Sequence, residues 1–164
     1  MSADAPTTDE AFARFSDTLQ NAGLRAALAY LLGLTDYRFI AIFRYEEGMA
    51  NAAVYFDREN PEVMAVDEVP DRATDCCYVR DSRGVFKTAD AMHDPRLEDH
   101  ASRAVVQSYC GVPVMTPDGE VLGTLCHYDL VPRDPEQIDI GLMLQVASRL
   151  AQQNLVPPYP HQAR

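Results

Sequence analysis

Residues Tyr109 to Asp129 read YCGVPVMTPDGEVLGTLCHYD. Two apolar runs flank Thr116-Pro117-Asp118-Gly119-Glu120, and that pentapeptide is a turn with a physical mechanism. Proline pre-sets φ at the first turn position, and glycine supplies the left-handed residue of a three-residue loop with a bulge. Such a loop pairs Thr116 with Glu120. Counting six residues back along each strand puts Cys110 opposite Cys126, Tyr109 opposite His127, Gly111 opposite Leu125 and Pro113 opposite Gly123. Cys110, Val112, Val114, Leu122, Thr124 and Cys126 then share one face, and Tyr109, Gly111, Pro113, Met115, Val121, Gly123, Leu125 and His127 share the other. Directly opposed side chains lie about 5 Å apart at Cβ. A two-residue loop would slip the count by one.

Working outward, Tyr37 to Tyr45 (YRFIAIFRY) is aromatic and β-branched and predicts a strand. Phe39, Ala41, Phe43 and Tyr45 share one of its faces; Ile40, Ile42 and Arg44 share the other. Glu46-Glu47-Gly48 is a turn, and Ala50 to Phe56 returns as a second strand. A short extended piece is expected near Val63 to Ala65, a short helix with Cys76 and Cys77 between Pro70 and Arg83, and a brief strand at residues 84–87. Val105 to Met115 and Glu120 to Asp129 are the strands of the hairpin. Helical spacing runs from Asp9 to Gly33, with an interruption at Gly23, and again from Asp134 to Asn154. Residues 1–8 read as a tail, 9–154 as one domain and 155–164 as a proline-rich tail. Helix, strands, a mixed middle, a hairpin and a closing helix predict an α+β domain, one antiparallel sheet with the terminal helices on one face.

The chain has 164 residues, 14 basic and 25 acidic side chains, a formal net charge of −11 and 47% hydrophobic residues. That composition is globular, and a surface so negative repels phosphate backbones and anionic lipid. Nucleic acid and membrane are therefore not expected as partners. The N-terminal MSADAPTTDEAF is unlike a signal peptide, and four cysteines without a leader predict thiols in a reducing cytoplasm.

The hairpin resembles the last hairpin of a GAF domain: an aromatic, a small residue, Gly-Val-Pro, a D-G turn, then Gly-x-Leu-Cys and an aspartate. Thr74 to Val79, Asp90 to Asp99, the YRFIAIFRY strand and the closing helix resemble the family as well, over roughly Asp9 to Asn154. The resemblance implies a six-stranded antiparallel sheet with the terminal helices packed on one face. A small-molecule pocket covered by loops and short helices would lie on the other. It also implies a sensory or regulatory role rather than an enzyme, with output passing through a signalling partner or a homodimer built on the terminal helices. The ligand and any cofactor stay unidentified.

Subfamily motifs narrow this further. Cyclic-nucleotide-binding members carry Asn-Lys-Phe-Asp-Glu, whereas the nearest stretch here is Asp94-Pro-Arg-Leu-Glu98. Bilin-binding members set a Cys-His pair on a helix, whereas Cys126-His127 falls in the last strand. The alternatives are a thiol-dependent enzyme of the free methionine-R-sulfoxide reductase type and a ligand-free interaction domain. The reductase cysteine motifs, Gly-Val-Cys-Gly and Ala-Cys-Asp, do not occur, and Cys76 and Cys77 sit in TDCCYV.

Phe43, Tyr45, Val54 and Phe56 are candidates to wall the pocket, since such sites are mostly apolar; the same residues suit a plain core. Cys76 and Cys77 are candidate pocket thiols or small packed hydrophobes. Cys110 and Cys126, opposed on the counted register, are a candidate redox pair or two packed thiols. Thr124 and Cys126 would look into the pocket if Gly111 and Gly123 admit the helices on the other face. Arg96 is a candidate anchor for an anionic ligand or a surface ion-pair partner. His127, opposite Tyr109, is a candidate metal ligand or pH sensor, or a satisfied core residue. Adjacent cysteines do not suit tetrahedral zinc, and no metal site is expected.

Overall fold

A computed structural model describes residues 5–64, 66 and 69–158. The first helical stretch divides into α1 (Thr8–Ala22) and α2 (Leu24–Leu32). Gly23 separates them at φ +94°, a conformation that side-chain-bearing residues rarely adopt. A reciprocal capping box starts α1: Glu10 N–H donates to Thr7 Oγ1 at 3.1 Å and Thr7 N–H to Glu10 Oε1 at 2.9 Å. The helix thus begins within the stretch read as a tail.

The strands are β1 (Phe39–Glu46), β2 (Met49–Asp57), β3 (Val69–Pro70), β4 (Phe86–Thr88), β5 (Ser108–Met115) and β6 (Val121–Asp129), with α3 (Cys76–Ser82) between β3 and β4. They form one antiparallel sheet in the order β3-β2-β1-β6-β5-β4. The third strand lies at Val69–Pro70 rather than at Val63 and Met64; Ala65 falls outside the described residues. The closing helix begins later than its periodicity suggests. Pro135–Gln137 form a 3₁₀ turn, and α4 runs Ile140–Gln152 with Asp139 accepting from Leu142 N–H at 3.0 Å as its cap. Val156, read as tail, is buried against the core, and Arg44 donates to its carbonyl at 3.3 Å.

Alternation along the strands sends residues to two layers. Ile40, Ile42, Val112, Val114 and Leu125 pack with Phe15, Leu28, Leu31, Leu142, Val146 and Leu150 from α1, α2 and α4. Phe39, Ala41, Tyr55, Tyr109 and Cys126 pack on the other face with Cys76 and Val79 of α3, Phe86 and Leu97. No helix among the described residues is long and apolar enough to cross a membrane.

The turn is as read: Thr116 N–H donates to Glu120 O, and Gly119, at φ +84°, donates to Thr116 O, both at 2.9 Å. The register beyond it is not. A bulge leaves Leu122 without a partner, because Val114 pairs Gly123 while Met115 pairs Val121. Cys110 therefore pairs His127, Gly111 pairs Cys126, and Tyr109 pairs Tyr128. A one-residue slip reverses faces. Cys110 joins the helix-covered layer and Cys126 the opposite one, so they are not a pair.

Candidate functional site

The chain enters α3 through Asp75, and the first turn of that helix lies over the face carrying Cys126. Cys76 is the anchor. Its carbonyl accepts from the Tyr45 hydroxyl at 2.7 Å, and its thiol accepts from the Tyr109 hydroxyl at 3.1 Å. Tyr45 also hydrogen-bonds Thr124, so strands β1, β5 and β6 all hold the start of α3. Gly111 makes this possible. A Cβ there would stand 2.8 Å from Tyr109 ring carbons, so the missing side chain admits the phenol rather than a helix.

Beside α3 lies a cavity of about 320 Å³. Phe39, Phe43, Tyr55, Tyr109 and Tyr128 give it aromatic walls, Val66, Val69, Ala73, Val105, Val106 and Leu130 aliphatic ones, and Thr74, Asp75, Cys76 and Ser102 polar edges. Phe39 stacks on Tyr128 with ring centroids 4.7 Å apart. Asp75 is 3% exposed. Its Oδ1 accepts from the Ser102 hydroxyl at 2.7 Å, while its Oδ2 is buried without a partner. Burial raises the Asp75 carboxyl above its ordinary value, against the Ser102 hydrogen bond that lowers it. Ser102 N–H donates to His100 Nδ1 at 3.1 Å, and His100 Nε2 lies 3.7 Å from Cys77 Sγ.

Of the thiols, Cys76 lines the cavity and Cys126 packs in the same layer of the sheet face. Burial and the neighbouring Cys76 push Cys126 well up. Burial opposes a thiolate at Cys76 too, but hydrogen bonds to its sulfur from Cys126, Tyr109 and Thr74 bring its pKa below the ordinary value. Burial raises Cys77 to about 11 and Cys110 to about 12, so neither is poised as a nucleophile.

The residues read as pocket candidates divide between the faces. Phe43 lines the cavity, and Tyr45, Thr124 and Cys126 support it. Val54 and Phe56 pair Ile42 and Ile40 and pack on the helix-covered face, with Arg25 over the Phe56 ring at 4.9 Å. Arg96 is committed elsewhere: it pairs with Asp94 at 2.6 Å, donates to Lys87 O and lies over Phe86. His127 stands opposite Cys110 rather than Tyr109 and packs edge-on against Tyr37 on the helix side. Burial drives its pKa down to about 3, and its Nε2 has no partner. It borders a second cavity of about 320 Å³ between the ends of α1, α2 and α4. Sequence reasoning passed over Phe39, Tyr55, Asp75, Ser102, Tyr109 and Tyr128 as pocket residues. Alternation from Cys126 would have found Tyr128, and alternation from Phe43 would have found Phe39.

An antiparallel sheet carrying terminal helices on one face and a partly open apolar cavity beside a short helix on the other is the architecture of ligand-binding regulatory domains. A GAF domain model matches residues 20–153, and the chain belongs to that family. A cyclic di-GMP phosphodiesterase of Pseudomonas aeruginosa is 31% identical over 130 residues, which are 77% of this chain. The chain spans only 20% of that relative's length. Among solved structures, the free methionine-R-sulfoxide reductase of Neisseria meningitidis with its substrate superposes at TM-score 0.70, 16% identity, covering 93% of this chain and 90% of that one. The GAF domain of an Acinetobacter phosphoenolpyruvate-protein phosphotransferase superposes at 0.68, 14% identity, covering 88% and 90%. At such identities these likenesses establish the fold alone.

Proposed function

We propose that this protein is a sensory domain that binds a small molecule in the cavity beside α3 and relays occupancy through the terminal helices to a partner or a second copy. One observation carries the reading: a partly open, aromatic-walled space of about 320 Å³ on the sheet face that the terminal helices leave uncovered. The Pseudomonas aeruginosa cyclic di-GMP phosphodiesterase supports it, since a matching segment occurs there within a much longer enzyme. Exposed Leu144 on α4 and half-buried Phe12 on α1 border a common groove and supply apolar surface for a helical dimer.

The test is thermal unfolding against a chemically diverse metabolite library, using the wild type and Val106→Phe, which fills the cavity. Compounds that raise the wild-type melting temperature and leave the variant unmoved support the reading. Equal shifts in both proteins, or none in the wild type, overturn it.

Redox sensing is a second reading, favoured by Cys76, which lines the cavity, and Cys126, buried in the same cluster. Peroxide would take two electrons and two protons from the thiols, leaving a disulfide and water. Thiol counting after peroxide, in wild type and Cys126→Ala, decides it: loss of two thiols only in the wild type supports a pair, and no loss removes it.

A further inference from the structure

Rings, not charges, make the wall of the cavity beside α3. Phe39 and Tyr128 stack with centroids 4.7 Å apart, Tyr55 tilts against Phe39 at 6.0 Å, and Phe43 tilts against Tyr128 at 6.4 Å. Rings grouped in this way offer faces and edges to a further ring. The polar groups on the wall are spent on one another. The Ser102 hydroxyl donates to Asp75 Oδ1 at 2.7 Å, the Cys76 sulfur accepts from the Tyr109 hydroxyl at 3.1 Å, and Asp75 Oδ2 is sealed from solvent. Among the described lining residues there is no Lys or Arg. Arg38 lies over the Phe39 ring at 4.8 Å but is tied to Asp57 by bonds of 2.9 and 3.0 Å. An anion entering the cavity would lose its hydration with no cation to replace it. A cation would lose its own to a wall whose one carboxyl among the described residues has an oxygen bonded to Ser102 and the other sealed. Val105 and Leu130 line the same space while 62% and 40% exposed, apolar surface that an apolar guest would take out of water. At about 320 Å³ the cavity falls at the low end of the roughly 300–1,000 Å³ usual for small-molecule sites, room for one or two rings.

We infer that the ligand is a compact, uncharged aromatic compound, held by ring and apolar contacts rather than by an ion pair. The inference rests on the cavity being the ligand site.

Calorimetric titration of the full chain at pH 7.5 with four probes on one bicyclic frame tests it. 2-Naphthol is neutral and aromatic, decahydro-2-naphthol is neutral and aliphatic, 2-naphthoate is an anion, and 2-naphthylmethylammonium is a cation. 2-Naphthol binds the wild type most tightly. Decahydro-2-naphthol binds about 2- to 10-fold more weakly, the span that ring-on-ring contact adds beyond burial. Both charged probes bind at least about 10-fold more weakly than 2-naphthol, because each gives up its water without a partner. Val106→Phe removes 2-naphthol binding, and Phe43→Ala weakens it, so the site is tested even if one variant does not fold. An affinity for either charged probe or for the aliphatic alcohol equal to that for 2-naphthol overturns the inference. So does 2-naphthol binding that both variants keep, or no binding of any probe at millimolar concentration. The reading of the cavity as a ligand site survives any of these if other library compounds still discriminate wild type from Val106→Phe, and falls if none does.

Discussion

Ile42 and Phe43 are neighbours in β1 and face opposite layers. Around Ile42 the sheet meets three helices, and Phe15, Leu28 and Leu150 fill the space with no exposed surface. Around Phe43 the cover is one short helix and irregular chain, and a cavity remains. The helix side keeps its own flaw at the opposite end, where His127 borders the second cavity with an unpartnered nitrogen. The lesson is that stability and function occupy separate faces of the same strands. A filled layer supplies the folding energy, and a layer with aromatic walls keeps room for a guest.

That contrast can be broken by substitution. Phe15→Ala, in the filled layer, costs about 3–5 kcal/mol in denaturant unfolding, because the cavity left behind cannot collapse. Gly111→Ala drives a methyl into the Tyr109 ring and costs about 1–3 kcal/mol, and it also loosens the start of α3 by displacing the Tyr109 hydroxyl from Cys76. His127→Phe sharpens the helix-side exception through pH. The histidine falls from 6.5 to about 3 on folding, so the unfolded chain gains a proton below pH 6.5 that the folded chain refuses. Stability drains as pH drops from 6.5 toward 3 and is unaffected above 6.5. The variant therefore narrows the gap between pH 7.5 and pH 5 by about 2 kcal/mol in chemical denaturation. Phe43→Ala, bordering existing space, costs only about 1 kcal/mol, yet abolishes the library-induced melting shifts. A cost at Phe43 equal to that at Phe15 would erase the distinction between the faces.

The sequence announced the layers through their periods, and the D-G turn announced the hairpin. The bulge at Leu122 was not legible, and it decided which cysteines meet. Gly123 marks its edge: a Cβ there would collide with the Phe43 carbonyl of the adjoining strand, a contact between segments eighty residues apart in the chain that no local pattern encodes. Asp75 was silent for the same reason. Its chemistry depends on Ser102, 27 residues away, and on the cavity that α3 leaves beside it. Val54 and Phe56 looked like pocket residues from composition, but their partners Ile42 and Ile40 fix them on the helix side.

The most direct measurement is native mass spectrometry of freshly purified wild type and Val106→Phe, each with a denaturing companion spectrum. The account predicts a mass increment on the wild type that is lost on denaturation and is absent from the folded variant. An increment of equal size on both proteins would place the bound molecule outside the cavity and contradict the account.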